Sequence, residues 1–463
     1  MYRRHLATLL LTFSFLVPTA LAQAAPPPLP GLPAPANGTM MVHGNYLYVL
    51  RGDVLYQFDA ESLSLLHSFD FNREGRRPRA QPRRQPGLVI EPPAQAEEPV
   101  PTETVVEEPA TLEPKAVEEA VNKSLQWLIK HQDEDGRFDS DQFMKHDTTG
   151  QASDGPGNPV HDVGATGLAV LAMLGTGSTM RSGNYKFQIS KAVSWLREQQ
   201  QANGMIGVNA SHDFIYDHAI ATWAICEAYG LSQYKLLKPV AQNALNYLES
   251  HRNPYAVWRY QPRDNDNDTS VTTWAAMALC SGRSFGLQVN PNAVQMIGNW
   301  YDQVTDDKGR SGYTKVGERS SRKPGDHSAR FPVERGEALT AAALLGRFMI
   351  GQEPASKAVM AKSAGLLLAQ PPQWQKDRID AYYWFFGSFA MYQMGGEFWE
   401  GWAPHLAGLL THQRQDGNFA GSWDPVGVWD EDGGRIYATA LYSLALQTAQ
   451  RKAKLVRAPQ MIR

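Results

Sequence analysis

The feature that most constrains this chain is a repeat that returns along most of its length. Trp127 is followed by Gln132 and Gly136. Trp195, Gln200 and Gly204 keep the same offsets, as do Trp300, Thr305 and Gly309, and then Gly408, Gln413 and Gly417. Tyr247 opens a worn copy, and Leu366 to Gln370 marks another. A unit of this size cannot bury its apolar face alone and must stack on its neighbours. A second series alternates with the first: Asp162, Asp217 and Asp268 each open an apolar helix with Ala169, Ala224 or Ala275 seven residues on, and Asp380 has Gly387 there. Two further apolar helices begin near Glu334 and Gly434, which completes six helix pairs.

The two series differ in kind. Val117, Val121, Leu125 and Leu128 share one face, as on a helix with a wet side, whereas Val163 to Leu174 is apolar all round and must be covered everywhere. An outer ring of amphipathic helices around an inner apolar ring satisfies both. The expectation is an all-α chain dominated by an (α/α)6 toroid over residues 115–450, with either a cavity or a packed plug at its centre. The Asp residues at the inner-helix starts read first as helix caps.

Residues 1–24 read as a signal peptide. Arg3 and Arg4 precede an apolar run from Leu6 to Val17, and Ala20-Leu21-Ala22 offers a cleavage site. Export to the periplasm or outside is therefore expected. Residues 25–37 form a Pro/Ala-rich leader. Residues 38–71 form a small β segment, in which Asn45–Leu50 and Val54–Phe58 bracket a tight turn at Arg51-Gly52-Asp53 and Leu63–Phe71 is a third candidate. Residues 72–114 are a charged Pro-rich linker too polar to fold, and 451–463 a basic tail. The net charge of -3 gives no footprint for nucleic acid. Both cysteines, Cys226 and Cys280, sit in apolar runs, where a thiol is usually a small buried hydrophobe.

Gln132-Asp-Glu-Asp-Gly136-Arg-Phe138 and Gln413-Arg-Gln-Asp-Gly417-Asn-Phe419 carry a family resemblance. On these residues the toroid resembles the terpenoid cyclase and protein prenyltransferase superfamily, and squalene–hopene-type cyclases most. The resemblance implies an (α/α)6 barrel with any active cavity at its centre, glutamines that bond helix ends, and glycines that permit turns. It implies no cofactor. Squalene cyclases carry a second toroid domain that this chain lacks. Protein prenyltransferases hold zinc through an Asp-x-Cys setting that neither cysteine has, and the Thr, Cys and Gln of complement-type thioester domains have no counterpart, so no metal site is expected.

The resemblance also draws attention to Asp264-Asn-Asp-Asn-Asp-Thr-Ser270. Squalene cyclases place a proton-donating Asp-x-Asp-Asp-Thr segment here, but matching Asp268-Thr269 to its end puts Asn267 at the donor. Asp266 or Asp268 remains as the acid after a register shift. A calcium hand would want Gly and Glu where Thr269 and Ala275 stand. If the inner helices start at one end, that mouth gathers Asp162, Asp217, His218, Asp264 and Asp380, together with Tyr383, Trp384 and Trp423. Acids beside aromatic platforms suit carbocations and sugars alike, and paired carboxylates are the equipment of glycoside hydrolysis. The expected function is an exported toroid that binds an apolar or extended ligand (an isoprenoid, for example), or an envelope protein or polysaccharide, without family-type cyclisation. The alternatives are a divergent terpene cyclase using Asp266 or Asp268, and a carbohydrate-active (α/α)6 enzyme.

Overall fold

The structure, a computed structural model, describes residues 112–323 and 325–452, together with the strands at 39–43, 46–51, 54–59 and 65–70. The expected signal peptide and leader, most of the expected linker, and the tail beyond 452 lie outside the described residues. The chain divides into two units, Met1–Thr102 and Glu103–Arg463.

The first unit contains a four-stranded antiparallel sheet in sequence order: β1 (Thr39–His43), β2 (Tyr46–Arg51), β3 (Val54–Asp59) and β4 (Leu65–Asp70). The expected hairpin is present, with Arg51 opposite Val54, and so is the third candidate strand. Sequence reasoning missed β1, because Thr-Met-Met-Val-His lacks the alternation that marks a half-buried strand.

The second unit is helical. Its elements are α1 (Pro114–Lys130), α2 (Asp162–Gly175), α3 (Lys186–Glu198), α4 (Phe214–Ser232), α5 (Lys238–His251), α6 (Thr269–Ser284) and α7 (Pro291–Val304). There follow a short α8 (Asp326–Arg330), then α9 (Ala338–Met349), α10 (Val359–Leu368), α11 (Ala381–Met394), α12 (Gly396–Trp402), α13 (Ala407–His412) and α14 (Asp430–Gln447). Helices α2, α4, α6, α9, α11 and α14 pack each on the next, and α14 packs back on α2, so the inner ring closes. Outside it, α3 packs on α2, α5 on α4, α7 on α6, α10 on α9, α12 on α11 and α1 on α14. This is the expected α/α toroid. Helix α2 is buried along its whole length, while α1 buries the face carrying Val117, Val121, Leu125 and Leu128.

The repeat residues do what a repeat needs. The Gln132 side-chain amide donates to the Gly136 carbonyl, at 2.9 Å, and to Gln188 of the next outer helix, at 3.1 Å. Gln200 does the same with Gly204 and Val240, at 3.2 and 2.9 Å. Gln413 reaches Ala120 of α1, at 2.8 Å, and so ties the last repeat to the first. Two residues beyond the repeat glycine, the backbone N–H of Phe138, Ile206 and Ser311 donates inward to Thr166, His218 and Thr340. Trp258 donates in the same way to Thr272 and Trp423 to Thr439.

That ladder corrects two readings. Trp423 lies two residues after Gly421, and Gln413 bonds the Gly421 carbonyl at 2.9 Å, so Gly421 and not Gly417 is the repeat glycine of the last copy. In the second series, Asp162 and Asp268 stand four residues before Thr166 and Thr272, but the residue four before His218 is Phe214, where α4 begins. Asp217 is therefore out of register with the other two and lies inside the first turn of α4. It does not cap its own helix.

The centre of the ring is packed at one level by aromatic rings: Trp274 stacks on Phe385 at 5.6 Å, and Trp223 lies 6.3 Å from the same ring. The C-terminal halves of α2 and α4 are held by residues that follow α14. Arg451 donates to Glu227 at 2.7 Å and to the Leu171 carbonyl at 2.9 Å, and the Lys452 N–H bonds Gly175. The toroid thus runs to Lys452, and Arg451 belongs to its interior rather than to a basic tail. Cys226 and Cys280 are free and buried. Among the described residues no helix is long and apolar enough to cross a membrane.

Candidate functional site

The inner helices all start at one end, and there the ring opens into a cavity of about 590 Å³. Each inner helix contributes from its early turns: Gly164 and Leu168 of α2, Tyr216 and Asp217 of α4, Ser270 and Trp274 of α6, Leu339 of α9, Tyr382 of α11 and Tyr437 of α14. Small residues at the start of α2 bring α4 close: a Cβ at Gly164 would lie 2.3 Å from an Asp217 carboxylate oxygen. Loop residues complete the rim, among them His161, Asp213 and Ser320 to Lys323.

The charges on this surface are largely paired. His161 Nδ1 lies 3.0 Å from Asp217 Oδ2, and the Lys323 ammonium donates to Asp432 at 2.6 Å. Burial works against a charged His161, but the hydrogen bond and charge of Asp217, helped by Asp213 and Asp432, win and hold its pKa up at about 9. Burial likewise pushes Asp217 upward, against the pull of His161 and the Gly164 N–H. At neutral pH His161 therefore holds its proton against the Asp217 carboxyl. His161 is raised above its ordinary 6.5, so the stability carried by its imidazolium is complete below pH 6.5 and is lost as pH climbs through about 9. In Asp217→Asn the partner charge is gone and burial dominates. Histidine-ring NMR is expected to show the His161 midpoint falling below 6.5. A midpoint that stays high would mean that Asp217 is not its partner.

The uncharged part of the wall is tyrosine. The Tyr260 and Tyr313 hydroxyls bond each other, and the Tyr382 and Ser270 hydroxyls are 2.7 Å apart. The Arg259 guanidinium lies over both the Tyr260 and Tyr313 rings, at 5.3 and 5.4 Å. Behind them Asp268 is 0% exposed. Its Oδ1 accepts the Val271 N–H at 2.7 Å and so caps α6 as expected. Its Oδ2 has no hydrogen-bond partner among the described residues, although Arg259 Nε is 3.7 Å away. Burial pushes the Asp268 pKa up to about 7, opposed by the Val271 N–H and Arg259.

Of the residues expected at the mouth, Asp217 lines the cavity, and His161, Tyr382 and Trp429, beside other expected positions, line it too. The others are placed elsewhere. His218 is fully buried and stands where four other repeats use threonine, accepting the Ile206 N–H at 2.9 Å. Asp162 accepts the Ser140 N–H and pairs with Arg137. Asp380 caps α11 through Tyr383 N–H, and the Tyr383 hydroxyl donates to Gln370. Trp384 packs against Trp374 and Tyr442, and Trp423 Nε1 donates to Leu409. Asp264 is exposed on the loop before α6, and Asp266 is 68% exposed beside Arg259. Asn267, the residue that the squalene-cyclase resemblance aligns with a proton donor, uses its side chain to hold the Val257 N–H at 3.0 Å. Asp139, Asp141 and Asp162 lie together with the geometry of an acidic cluster. Arg137 pairs with Asp162 there and Lys145 with Asp139.

Sequence reasoning missed Tyr216, Tyr260 and Tyr313. A signal for Tyr313 existed: it follows the repeat glycine Gly309 by four residues, and chain leaving that glycine runs inward to the start of the next inner helix.

The family model described as the A-macroglobulin TED domain matches residues 108–294, from before α1 into α7. No curated protein matches the chain. Among solved structures, the unsaturated glucuronyl hydrolase of Bacillus sp. GL1, responsible for the degradation of glycosaminoglycan, superposes with a TM-score of 0.53 at 12% identity. The match covers 74% of this chain and 99% of that one. A UGL variant with the saccharide dGlcA-Glc-Rha-Glc gives the same TM-score of 0.53 at 13% identity, covering 74% and 99%. At such identity the likeness is one of fold. The chain is an α/α toroid, and that architecture is shared with carbohydrate-active enzymes.

Proposed function

We propose that the toroid holds a saccharide in this cavity and acts on a glycosidic bond there, with Asp217 as the carboxylate beside the ligand and His161 fixing its position. The observation that carries this reading is the division of labour on the cavity wall. Two of the lining cations are paired with lining acids, His161 with Asp217 and Lys323 with Asp432, and Arg322 is held by the Phe331 and Ser321 carbonyls, whereas five tyrosines and four serines offer aromatic faces and hydroxyls. A neutral polyhydroxylated ligand uses both, stacking on rings and exchanging hydrogen bonds. A long hydrocarbon would dehydrate those hydroxyls, at roughly 1–3 kcal/mol for each one not already bonded to a neighbour as Tyr260 is to Tyr313 and Tyr382 to Ser270. The register of Asp217 supports the same reading, since a carboxylate freed from capping its own helix is available to a ligand. The saccharide-degrading neighbours add an analogy of fold only. The isoprenoid-binding reading is second, supported by Leu168, Ile220 and Leu339 on the same wall.

Calorimetry with the full chain and a panel of neutral and uronate oligosaccharides tests the proposal. Saturable binding is expected, with cleavage of a bound member and loss of turnover of about a hundredfold or more in Asp217→Asn. No binding to any member, together with a stoichiometric isoprenoid extracted from the purified protein, would sink it. Export belongs to the same proposal, because an envelope polysaccharide would meet the protein only outside the cytoplasm. N-terminal sequencing of protein purified from the native envelope should find cleavage near Ala22.

A further inference from the structure

Asp268 does not line the cavity, yet its carboxyl sits directly behind the tyrosines that do. We propose that Asp268 is a positioning residue that supplies a proton to the cavity through the hydroxyls of Tyr313 and Tyr260, without touching the ligand. This rests on the saccharide reading of the cavity.

The geometry supports it in three ways. Capping α6 occupies Oδ1, leaving Oδ2 as a buried oxygen with no hydrogen-bond partner among the described residues. Tyr313 is tied beside Asp268 by its own carbonyl, which accepts the Thr269 N–H at 3.0 Å; its hydroxyl does not hydrogen-bond Oδ2 in this structure but favours the charged carboxylate. The Tyr313 hydroxyl then bonds that of Tyr260, and both rings line the cavity. The other groups around the carboxyl are Arg259, Tyr216 of α4 and Tyr382 of α11. Arg259 is the cation among them, and it lies on the side where a carboxylate would form. Asp266, on the same loop, is 68% exposed.

The transfer balances. As the glycosidic C–O bond breaks and a water molecule bonds the glycosyl carbon, leaving its proton on Asp217, Tyr260 gives its hydroxyl proton to the departing oxygen and takes the Tyr313 proton. Tyr313 takes the Asp268 proton, and the remaining carboxylate is stabilised by Arg259 and by the N-terminus of α6. No tyrosinate accumulates, because burial keeps both phenols above their ordinary range. A reserve acid near neutrality suits the task, since a proton donor works best when its pKa lies close to the working pH.

Infrared difference spectra of the full chain test the contact without a substrate. At pH 6 a protonated-carboxyl band is expected that Asp268→Asn removes, and asparagine keeps the helix cap. Tyr313→Phe should shift the pH midpoint of that band upward, since the hydroxyl that steadies the charge is gone. On a turned-over oligosaccharide, Tyr260→Phe, Tyr313→Phe and Asp268→Asn should each lower kcat at least tenfold with KM unchanged, and the triple variant should be no worse than the worst single. A midpoint indifferent to Tyr313→Phe, or full kcat in Tyr313→Phe beside a damaged Tyr260→Phe, overturns the relay. If the band couples as expected but no oligosaccharide is bound or cleaved, the saccharide reading fails and with it the relay's catalytic role, while the buried proton pair stands.

Discussion

Arg451→Met is expected to cost about 3–5 kcal/mol of folding stability at pH 8, and clearly less at pH 5. Methionine has similar reach and fills the space, so the loss is electrostatic. Arg451 and Glu227 are each 2% exposed at the side chain, and without the arginine Glu227 keeps, among the described residues, the Trp223 indole N–H at 3.1 Å as its one partner. Burial already raises the Glu227 pKa above its ordinary 4.5, opposed chiefly by the Arg451 charge. Removing that charge raises it further, and the carboxyl then takes up a proton. A carboxyl whose folded pKa lies above its unfolded value favours the fold fully below the unfolded value, here 4.5, and that favour is lost as pH climbs through the folded value. Urea unfolding at pH 5 and pH 8 reads the difference directly. Equal losses at both values would mean that Glu227 has found another partner. The double variant Glu227→Gln/Arg451→Met should regain part of the loss, since it leaves no unpaired charge.

The toroid was legible because it is written twice, once in apolar periodicity and once in the glutamine–glycine offsets, and both depend on local chemistry. Helix existence and order follow from 3.6-residue spacing, and ring closure follows from inner helices too apolar to face water. The site was harder to read. The aspartates at the inner-helix starts look alike in sequence, but one caps its own helix (Asp268), one bonds the preceding loop (Asp162), and one faces the cavity (Asp217). What separates them is a three-residue shift in where α4 begins, and that is visible only once His218 is seen doing the work of a threonine. Trp384 and Trp423 looked like ligand platforms for the same reason. Aromatic residues near a helix start are as useful to the core as to a cavity, and the choice depends on which way the helix is rotated. Arg451 was invisible as an interior residue because a charged C-terminal segment ordinarily stays in solvent. Only the unpaired Glu227 inside an apolar helix hinted that a cation had to come from elsewhere.

Gly421→Ala should destabilise the toroid by about 3 kcal/mol, combining a positive-φ penalty of roughly 1–2 kcal/mol with forced repacking of similar size. Gly417→Ala should cost only about 1 kcal/mol. At Gly421 the backbone has φ +100, and an added Cβ would meet the Lys123 carbonyl oxygen of α1 at 2.3 Å. That obstacle is backbone and does not swing aside. At Gly417 φ is +49, and nothing lies within 4 Å of an added Cβ. The pattern at Gly421 is that of the other repeat glycines: Gly136 meets the Lys191 carbonyl at 2.4 Å, and Gly204 meets that of Asn243 at 2.2 Å. In each case the turn presses against the neighbouring outer helix, and the glutamine bond crosses at the same place. At Gly421 that neighbour is α1, so this turn is part of the seam that closes the ring. Denaturant midpoints at constant m-value measure both variants on one scale. If Gly417→Ala proved the more damaging, the spacing seen in sequence would be the true one, and the inward bond from Trp423 to Thr439 would not belong to the ladder. If Gly421→Ala is the severe variant, the last repeat carries a four-residue insertion between its glutamine and its glycine, which is why offset counting alone misplaced the turn.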